Sequence, residues 1–223
     1  MEDTKRGGIM EKSKKNIIYE IFNSASHGLG VVLGIIFLVL MIAKYANRVT
    51  GGMLLGFIVY GICFILMFLA STLYHGIQNP KVKSILRIFD HSSIFLFIAG
   101  SYTPIVLYVL SGRMRILFLA GIWIIAVFGT IFKILTYKKY DRFIKLSVII
   151  YIAMGWLAIF LIKPIIENTS RLFIIFIVTG GLLYTVGTYF YKKRTPLYNH
   201  LIWHVFVLAA AVCQYIGISN FLV

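Results

Sequence analysis

Charged residues in this sequence are clustered, and long charge-free runs separate the clusters. Seven such runs, each 17 to 32 residues long, cover positions 21–43, 49–80, 91–112, 116–132, 146–162, 172–191 and 195–223. A helix needs about 20 apolar residues to cross the roughly 30 Å hydrocarbon core of a bilayer. Because a helix also satisfies its own backbone hydrogen bonds where water is absent, each run is predicted to form one transmembrane helix.

The composition agrees with residence in a membrane. Of 223 residues, 60% are hydrophobic and only 13% are charged, which is unlike a soluble domain. The intervals between the runs are also too short to hold a soluble domain. The sequence therefore predicts an all-α integral membrane protein, a seven-transmembrane helix bundle. Residues 21–223 are predicted to form the membrane domain and residues 1–20 a basic N-terminal segment.

The basic residues predict how the bundle is oriented. On the side that carries the N-terminus lie 16 Lys and Arg residues, against 6 on the other side. Cytoplasmic loops are enriched in Lys and Arg, so the N-terminus is predicted to be cytoplasmic and the C-terminus to lie outside. The basic runs Lys12–Lys15, Lys138–Lys139 and Lys192–Arg194 are then interpreted as facing anionic lipid headgroups. Membrane lipids are the expected partners, and neither a nucleic acid nor a soluble protein is expected.

Two features of the connections and one of the packing are also predicted. Residues 76–89 are expected to form a turn followed by one or two amphipathic helical turns that lead into span three. The 17-residue runs 116–132 and 146–162 are short, so lysines at their ends are expected to extend towards the interface. These lysines are Lys133, Lys145 and Lys163.

Small residues at four-residue spacing in span one predict a close helix contact through Ser26, Gly30 and Gly34.

All five histidines are predicted to lie at the same, cytoplasmic, end of the bundle. His27 begins span one, His75 lies near the end of span two, His91 begins span three, and His200 and His204 open span seven. Ionisable groups at membrane depth are costly, so they are candidates for function.

Three of these histidines have the spacing of metal ligands. His200 and His204 are four residues apart, which places both imidazoles on one helix face. His75 follows Ser71 at the same spacing, and Asp90 begins the next span. Three imidazoles and a carboxylate match the ligands that zinc prefers, with Asp90 binding directly or through water. The alternative is a pair of interfacial histidines that happen to share a face.

Two further groups of residues have weaker patterns. Glu20, Asn23 and His27 share one face of the first helix, where they are predicted to support the metal ligands from a second shell. A polar helix entrance is the alternative. His91 points about 100° away from its neighbour Asp90, and a packing or interface role is favoured for it.

Taken together, these residues resemble a known family, the hemolysin III proteins of bacteria, which are similar to the progestin and adipoQ receptor family of eukaryotes. The motifs that carry the resemblance are Glu20-Ile-Phe-Asn23-Ser-Ala-Ser-His27, Ser71-Thr-Leu-Tyr-His75, Asp90-His91-Ser92, Tyr102-Thr103-Pro104 and His200-Leu-Ile-Trp203-His204. The resemblance implies seven transmembrane helices and a Zn²⁺ ion bound by His75, His200 and His204, with Asp90 nearby. Eukaryotic relatives, and the alkaline ceramidases that share the Ser, Asp and His constellation, are linked to lipid amide hydrolysis.

Three functions are compatible with these features. A zinc-dependent amidase of membrane lipids would use Asp90 as the proton acceptor and donor and Ser71 as a hydrogen-bond donor to the developing oxyanion. A non-catalytic regulator of the membrane would use zinc only as a structural ion. A cytolysin ranks last, because the spans have no continuous polar stripe that could line a channel.

Two other seven-helix classes are excluded. A rhodopsin-type pump needs a lysine in span seven for its Schiff base, and residues 195–223 contain none. A G-protein-coupled receptor would need the opposite orientation to the one that the basic residues predict.

Overall fold

The computed structural model describes residues 2–192 and 198–223, with side chains for residues 16–139, 142–192 and 198–223. The described part of the chain is helical and contains no strand. Its helices are α1 (Glu2–Tyr45), α2 (Gly51–Gly76), α3 (Pro80–Val109), α4 (Gly112–Thr136), α5 (Tyr140–Trp156), α6 (Ile162–Asn168), α7 (Arg171–Lys192) and α8 (Tyr198–Phe221).

Seven stretches of the described residues are long and apolar enough to cross a membrane. They are α1 from Asn16 onward, α2, α3, α4, α5 together with α6, α7 and α8. The predicted all-α bundle of seven spans is therefore confirmed, and the chain is a multi-pass membrane protein. The side chains of Lys12–Lys15 and residue Arg194, which contributed to the predicted orientation, lie outside the described residues.

The fifth span is longer than predicted and is interrupted. A short 3₁₀ segment, Leu157–Leu161, joins α5 to α6, so that the span continues through Lys163 to Asn168. Pro164 explains the interruption, because its missing N–H cannot bond the carbonyl group four residues earlier. Lys163 is exposed near the end of the span, where its Nζ lies 3.9 Å from a carboxylate oxygen of Glu167.

The link between α2 and α3 is shorter than predicted. Helix α3 begins at Pro80, and the Asn79 side chain caps it by accepting hydrogen bonds from the next backbone N–H groups at 3.1 and 3.3 Å. Proline at the first helical position and asparagine at the N-cap together favour a helix start. The turn and the amphipathic helical turns predicted for 76–89 are therefore present, and the helical turns are the first turns of α3. Asp90 and His91 lie well inside that helix rather than at its start.

Lys133 also differs from its prediction. Its side chain is buried, with 4% of the residue exposed, instead of extending to the interface at the end of α4. It lies against α3, within electrostatic reach of Asp90 and Arg87. A nearby carboxylate is the kind of partner that a buried ammonium group requires.

Small residues allow α1 to fit between α2 and α8. A Cβ atom at Gly30 would clash with the Phe68 ring, and one at Gly34 would lie 2.8 Å from Phe64. The close contact predicted for these glycines is therefore present. Ser26, the third residue of that ridge, faces α8 instead, and its Oγ lies 3.3 Å from Nδ1 of His204. These contacts hold the middle of α1 against α2 and α8. The end of the bundle where α2 ends and α8 begins is here called the histidine end.

Candidate metal centre

Three histidines from two helices meet at the histidine end. His75 is the last residue but one of α2, and His200 and His204 lie in the first two turns of α8. Nε2 of His200 lies 3.2 Å from Nε2 of His75 and 3.1 Å from Nε2 of His204. One nitrogen from each ring falls within 4.8 Å of the other two. The structure thus assembles the three histidines that the sequence analysis placed in one metal site.

The other nitrogen of two of these rings is bonded to an acceptor. Nδ1 of His75 donates to a carboxylate oxygen of Glu20 at 3.0 Å. Nδ1 of His204 donates to the backbone carbonyl of Asn23 at 3.2 Å. Because a carboxylate and a carbonyl can only accept, Nδ1 of each ring carries the proton. The Nε2 atoms of His75 and His204 therefore present their lone pairs to the centre of the cluster.

This donor set fits a metal ion. The Nε2 lone pairs of His75 and His204 both face Nε2 of His200. That nitrogen carries at most one proton, so without a cation it can donate to only one of them. The nitrogen separations are also close to the roughly 3.3 Å expected between tetrahedral ligands with metal–nitrogen bonds of about 2.0–2.1 Å. Imidazole nitrogen is a preferred ligand of zinc, copper, iron and nickel. The three histidines could therefore hold a divalent transition metal.

Asp90 lies beside the histidine cluster and is not part of it. Its carboxylate is hydrogen-bonded to the Ser71 side chain and lies 3.5 Å from Nδ1 of His91. Among the described residues, the group with metal-ligand spacing contains the three histidines without Asp90. Asp90 and Ser71 nevertheless line the same cavity as His200 and His204. The sequence left direct and water-mediated binding by Asp90 open, and both stay predictions.

The three residues predicted for the second shell all lie against the cluster. Glu20 and Asn23 accept the hydrogen bonds described above. His27 makes no hydrogen bond to the three histidines. Its ring stacks on that of His204 with centroids 3.7 Å apart, and it makes a T-shaped contact with the Phe68 ring. Both histidines are almost fully buried. His27 thus restricts the orientation of the His204 ring by packing.

Sequence reasoning missed two lysines at this site. Nζ of Lys83 donates to the Glu20 oxygen that also accepts from His75, at 2.7 Å. Lys133 lies within electrostatic reach of Asp90. Lys83 occupies the first turn of α3, and Lys133 marks the end of a charge-free run. Both positions suggested topology rather than chemistry. Only the contact of Lys83 with α1 and the packing of α3 against α4 show otherwise.

His91 connects three helices at the histidine end. Its Nε2 lies 3.2 Å from the Tyr191 hydroxyl of α7, and its backbone carbonyl accepts a hydrogen bond from Tyr151 of α5 at 2.7 Å. Its Nδ1 donates to the carbonyl of Arg87 at 2.7 Å. These bonds agree with the packing role favoured from the sequence.

The metal centre opens into a cavity of about 190 Å³ between α3, α5, α7 and α8. The histidine and aspartate side chains of the wall lie at the histidine end, and hydrophobic side chains form most of the remaining wall, with a few hydroxyl and amide groups among them. Representative apolar lining residues are Phe97, Ile98, Ile105, Ile152, Ile177 and Val207. Trp156 and Val178 line the cavity and are also exposed at the surface of the bundle. The cavity therefore reaches the lipid-facing surface between α5 and α7.

Comparison with known proteins identifies the family. Residues 15–215 match the family described as haemolysin-III related. This match includes all five histidines, Glu20, Ser71 and Asp90. The chain belongs to the haemolysin-III-related family. The resemblance inferred from the motifs is therefore confirmed.

The haemolysin-III-related chain has both bacterial and animal relatives. It is 42% identical over 196 residues to Hemolysin-3 of Bacillus cereus, covering 88% of each chain. It is 40% identical over 196 residues to the Hemolysin-3 homolog of Bacillus subtilis (strain 168), covering 88% of this chain and 91% of the relative. It is 30% identical over 174 residues to the human monocyte to macrophage differentiation factor, covering 74% and 69%.

Replacing Glu20 by glutamine is expected to weaken zinc binding by about 10–100-fold, because a charged acceptor of the His75 N–H increases the basicity of the metal-binding nitrogen. Competition with a chromophoric chelator would measure the affinity of the purified protein. Glu167→Gln is the matched control, since this carboxylate is exposed and its ion-pair partner among the described residues is Lys163, at 3.9 Å. Equal zinc affinities for the two variants would contradict the role of Glu20.

Proposed function

We propose that this protein is a zinc-dependent hydrolase of lipid amides within the membrane. The observation that carries the proposal is the position of three converging imidazole nitrogens at one end of a mostly apolar cavity, with a carboxylate and a hydroxyl group beside them. We further propose that the histidine end faces the cytoplasm, as the distribution of basic residues predicts.

His75, His200 and His204 would hold the zinc ion. Catalytic zinc sites have three protein ligands and keep a position for water, whereas structural sites are closed by four. The position of Asp90 outside the histidine group supports the catalytic type. When bound, zinc would supply an activated water molecule for attack on a carbonyl carbon.

Asp90 is assigned as the group that moves the proton. Its carboxylate would accept a proton from the attacking water and deliver it to the amide nitrogen as the C–N bond breaks, giving a fatty acid and an amine. Ser71 holds this carboxylate by a hydrogen bond, and Lys133 lies within electrostatic reach of it.

Ser71 is also assigned a role towards the substrate. Its hydroxyl lies on the cavity wall one helical turn from His75. Once Asp90 has taken up the proton from water, the single Ser71 proton would turn from the carboxyl group to the carbonyl oxygen and stabilise its negative charge. A lipid could enter between α5 and α7, where the cavity reaches the surface of the bundle. The choice of an amide bond is supported by the resemblance of the Ser, Asp and His constellation to that of alkaline ceramidases.

Labelled lipids would test this function. We expect the purified protein in lipid nanodiscs to release fatty acid from an N-acyl sphingosine or N-acyl ethanolamine, to lose this activity on treatment with a chelator, and to recover it when zinc is returned. A phospholipid with the same acyl chain in ester linkage is the control for bond type. Stoichiometric zinc without turnover of any lipid amide would contradict the proposal and would favour the non-catalytic regulator.

A further inference from the structure

We propose that the cavity contains a second polar subsite, distant from the histidines, that binds a hydroxyl group in the middle of a ligand's hydrocarbon chain. Tyr184 of α7 and Gln214 of α8 form this subsite. The inference rests on the proposed function for the identity of the reacting end, and it adds a substrate class, namely acyl chains that are hydroxylated along their length.

The main observation is that both side chains have unsatisfied polar atoms. The Tyr184 hydroxyl and the Gln214 carbonyl oxygen are buried and have no hydrogen-bond partner among the described residues. Both residues line the cavity. The Tyr60 hydroxyl, which is likewise buried and without a described partner, lies within electrostatic reach of Tyr184. Buried polar atoms are rarely left unpaired, so these atoms indicate a polar group that the protein does not itself supply.

Other polar side chains on the same wall are satisfied within the protein. Trp156 donates from Nε1 to the Thr185 hydroxyl at 3.1 Å, and Thr185 donates to the carbonyl of Gly181 at 2.8 Å. The Tyr102 hydroxyl donates to the carbonyl of Gly155 at 2.7 Å. The unsatisfied atoms of the wall are thus confined to this pair and, at the opposite histidine end, to the ring nitrogens of His27.

The position of this pair along the bundle suits a long chain. Gln214 is ten residues beyond His204 on α8, which corresponds to a rise of about 15 Å. A Cβ atom at Gly180 of α7 would lie 2.9 Å from Gln214, so α7 and α8 pack closely at this level. Since the two helices run antiparallel and helical side chains lean towards the N-terminus, the Tyr184 and Gln214 side chains lean towards each other. A chain with its reacting end at the histidines would pass them near its middle.

A hydroxyl group complements this pair chemically. The tyrosine can donate a hydrogen bond and the amide oxygen can accept one, and a hydroxyl is able to do both in return. An unsubstituted hydrocarbon would displace solvent from the cavity and leave both atoms unpaired. The site should therefore distinguish a hydroxylated chain from a plain one.

Oleate and ricinoleate provide the test, because they share one chain and differ by a single mid-chain hydroxyl. Competition of each against a fluorescent fatty acid, on zinc-loaded protein in nanodiscs, would give their affinities. We expect ricinoleate to bind about tenfold more tightly than oleate, as one net hydrogen bond predicts. Tyr184→Phe with Gln214→Leu is expected to remove this preference while the protein still binds oleate. Thr188→Val, at a cavity hydroxyl that bonds its own helix, is the control and should keep the preference.

Equal binding of the two fatty acids by the unmodified protein would overturn the subsite. So would a preference that persists in the double variant. Because the assay measures binding, its result is independent of turnover. Loss of hydrolysis with a retained ricinoleate preference would contradict the proposed function alone, and hydrolysis of lipid amides without that preference would contradict the subsite alone.

Discussion

Replacing His200 and His204 together by alanine is expected to reduce the zinc content of the purified protein to less than about a tenth of a zinc ion per chain. The substitution leaves His75 as the single imidazole of the cluster, and one imidazole does not hold zinc in a protein site of this type. Elemental analysis of detergent-purified protein by mass spectrometry would measure the content. The unmodified chain should contain about one zinc ion.

His91→Gln is the matched control for that experiment. His91 lies at the same end of the bundle, but its nitrogens bond the carbonyl of Arg87 and the hydroxyl of Tyr191 rather than the cluster. We expect this variant to retain zinc. An unchanged zinc content in the His200 and His204 double variant would contradict the metal centre, as would an equal loss in the control. Circular dichroism would show whether each variant keeps its helical fold.

Asp90→Asn is expected to lower turnover of lipid amides by about 10²–10⁴-fold while leaving the zinc content unchanged. Asparagine has nearly the same shape as aspartate, but it cannot accept and return a proton during the reaction. The zinc should remain because the carboxylate lies outside the group of three histidines. Turnover and zinc content would be measured on the same preparation, with Glu167→Gln as a carboxylate control remote from the cavity.

Two results of that experiment would contradict the assignment of Asp90. Loss of zinc in the variant would mean that the carboxylate is a ligand, and the site would then be closed in the manner of a structural zinc. Turnover close to that of the unmodified protein would mean that another group moves the proton.

The fold could be predicted from the sequence because the bilayer restricts it so strongly. Uninterrupted apolar runs can only be spans, and the clusters of charge between them mark the ends. The boundaries were less accurate where short-range chemistry acts within a helix. Asn79 and Pro80 start α3 earlier than expected, and Pro164 divides the fifth span without ending it. Lys133 was misplaced because its partner, Asp90, lies on another helix.

Part of the metal centre could also be predicted, since four-residue spacing within α8 fixes the relation of His200 to His204. His75 belongs to a different helix, so its position beside His200 and His204 depends on how the helices pack. The motifs identified it only as one of a set of residues expected to lie together. Nothing in the sequence places Lys83 on Glu20, or Tyr184 and Gln214 on the wall of one cavity. Both arrangements bring together residues far apart in the chain, so they require the packed structure.

X-ray absorption spectroscopy at the zinc edge, on the purified protein and on Asp90→Asn, would test the central claim most directly. A catalytic centre built on His75, His200 and His204 predicts three imidazole nitrogens and one oxygen ligand from water, with the same spectrum for the variant. A fourth imidazole, or a spectrum that changes when Asp90 is replaced, would show a site closed by protein ligands and would contradict the account.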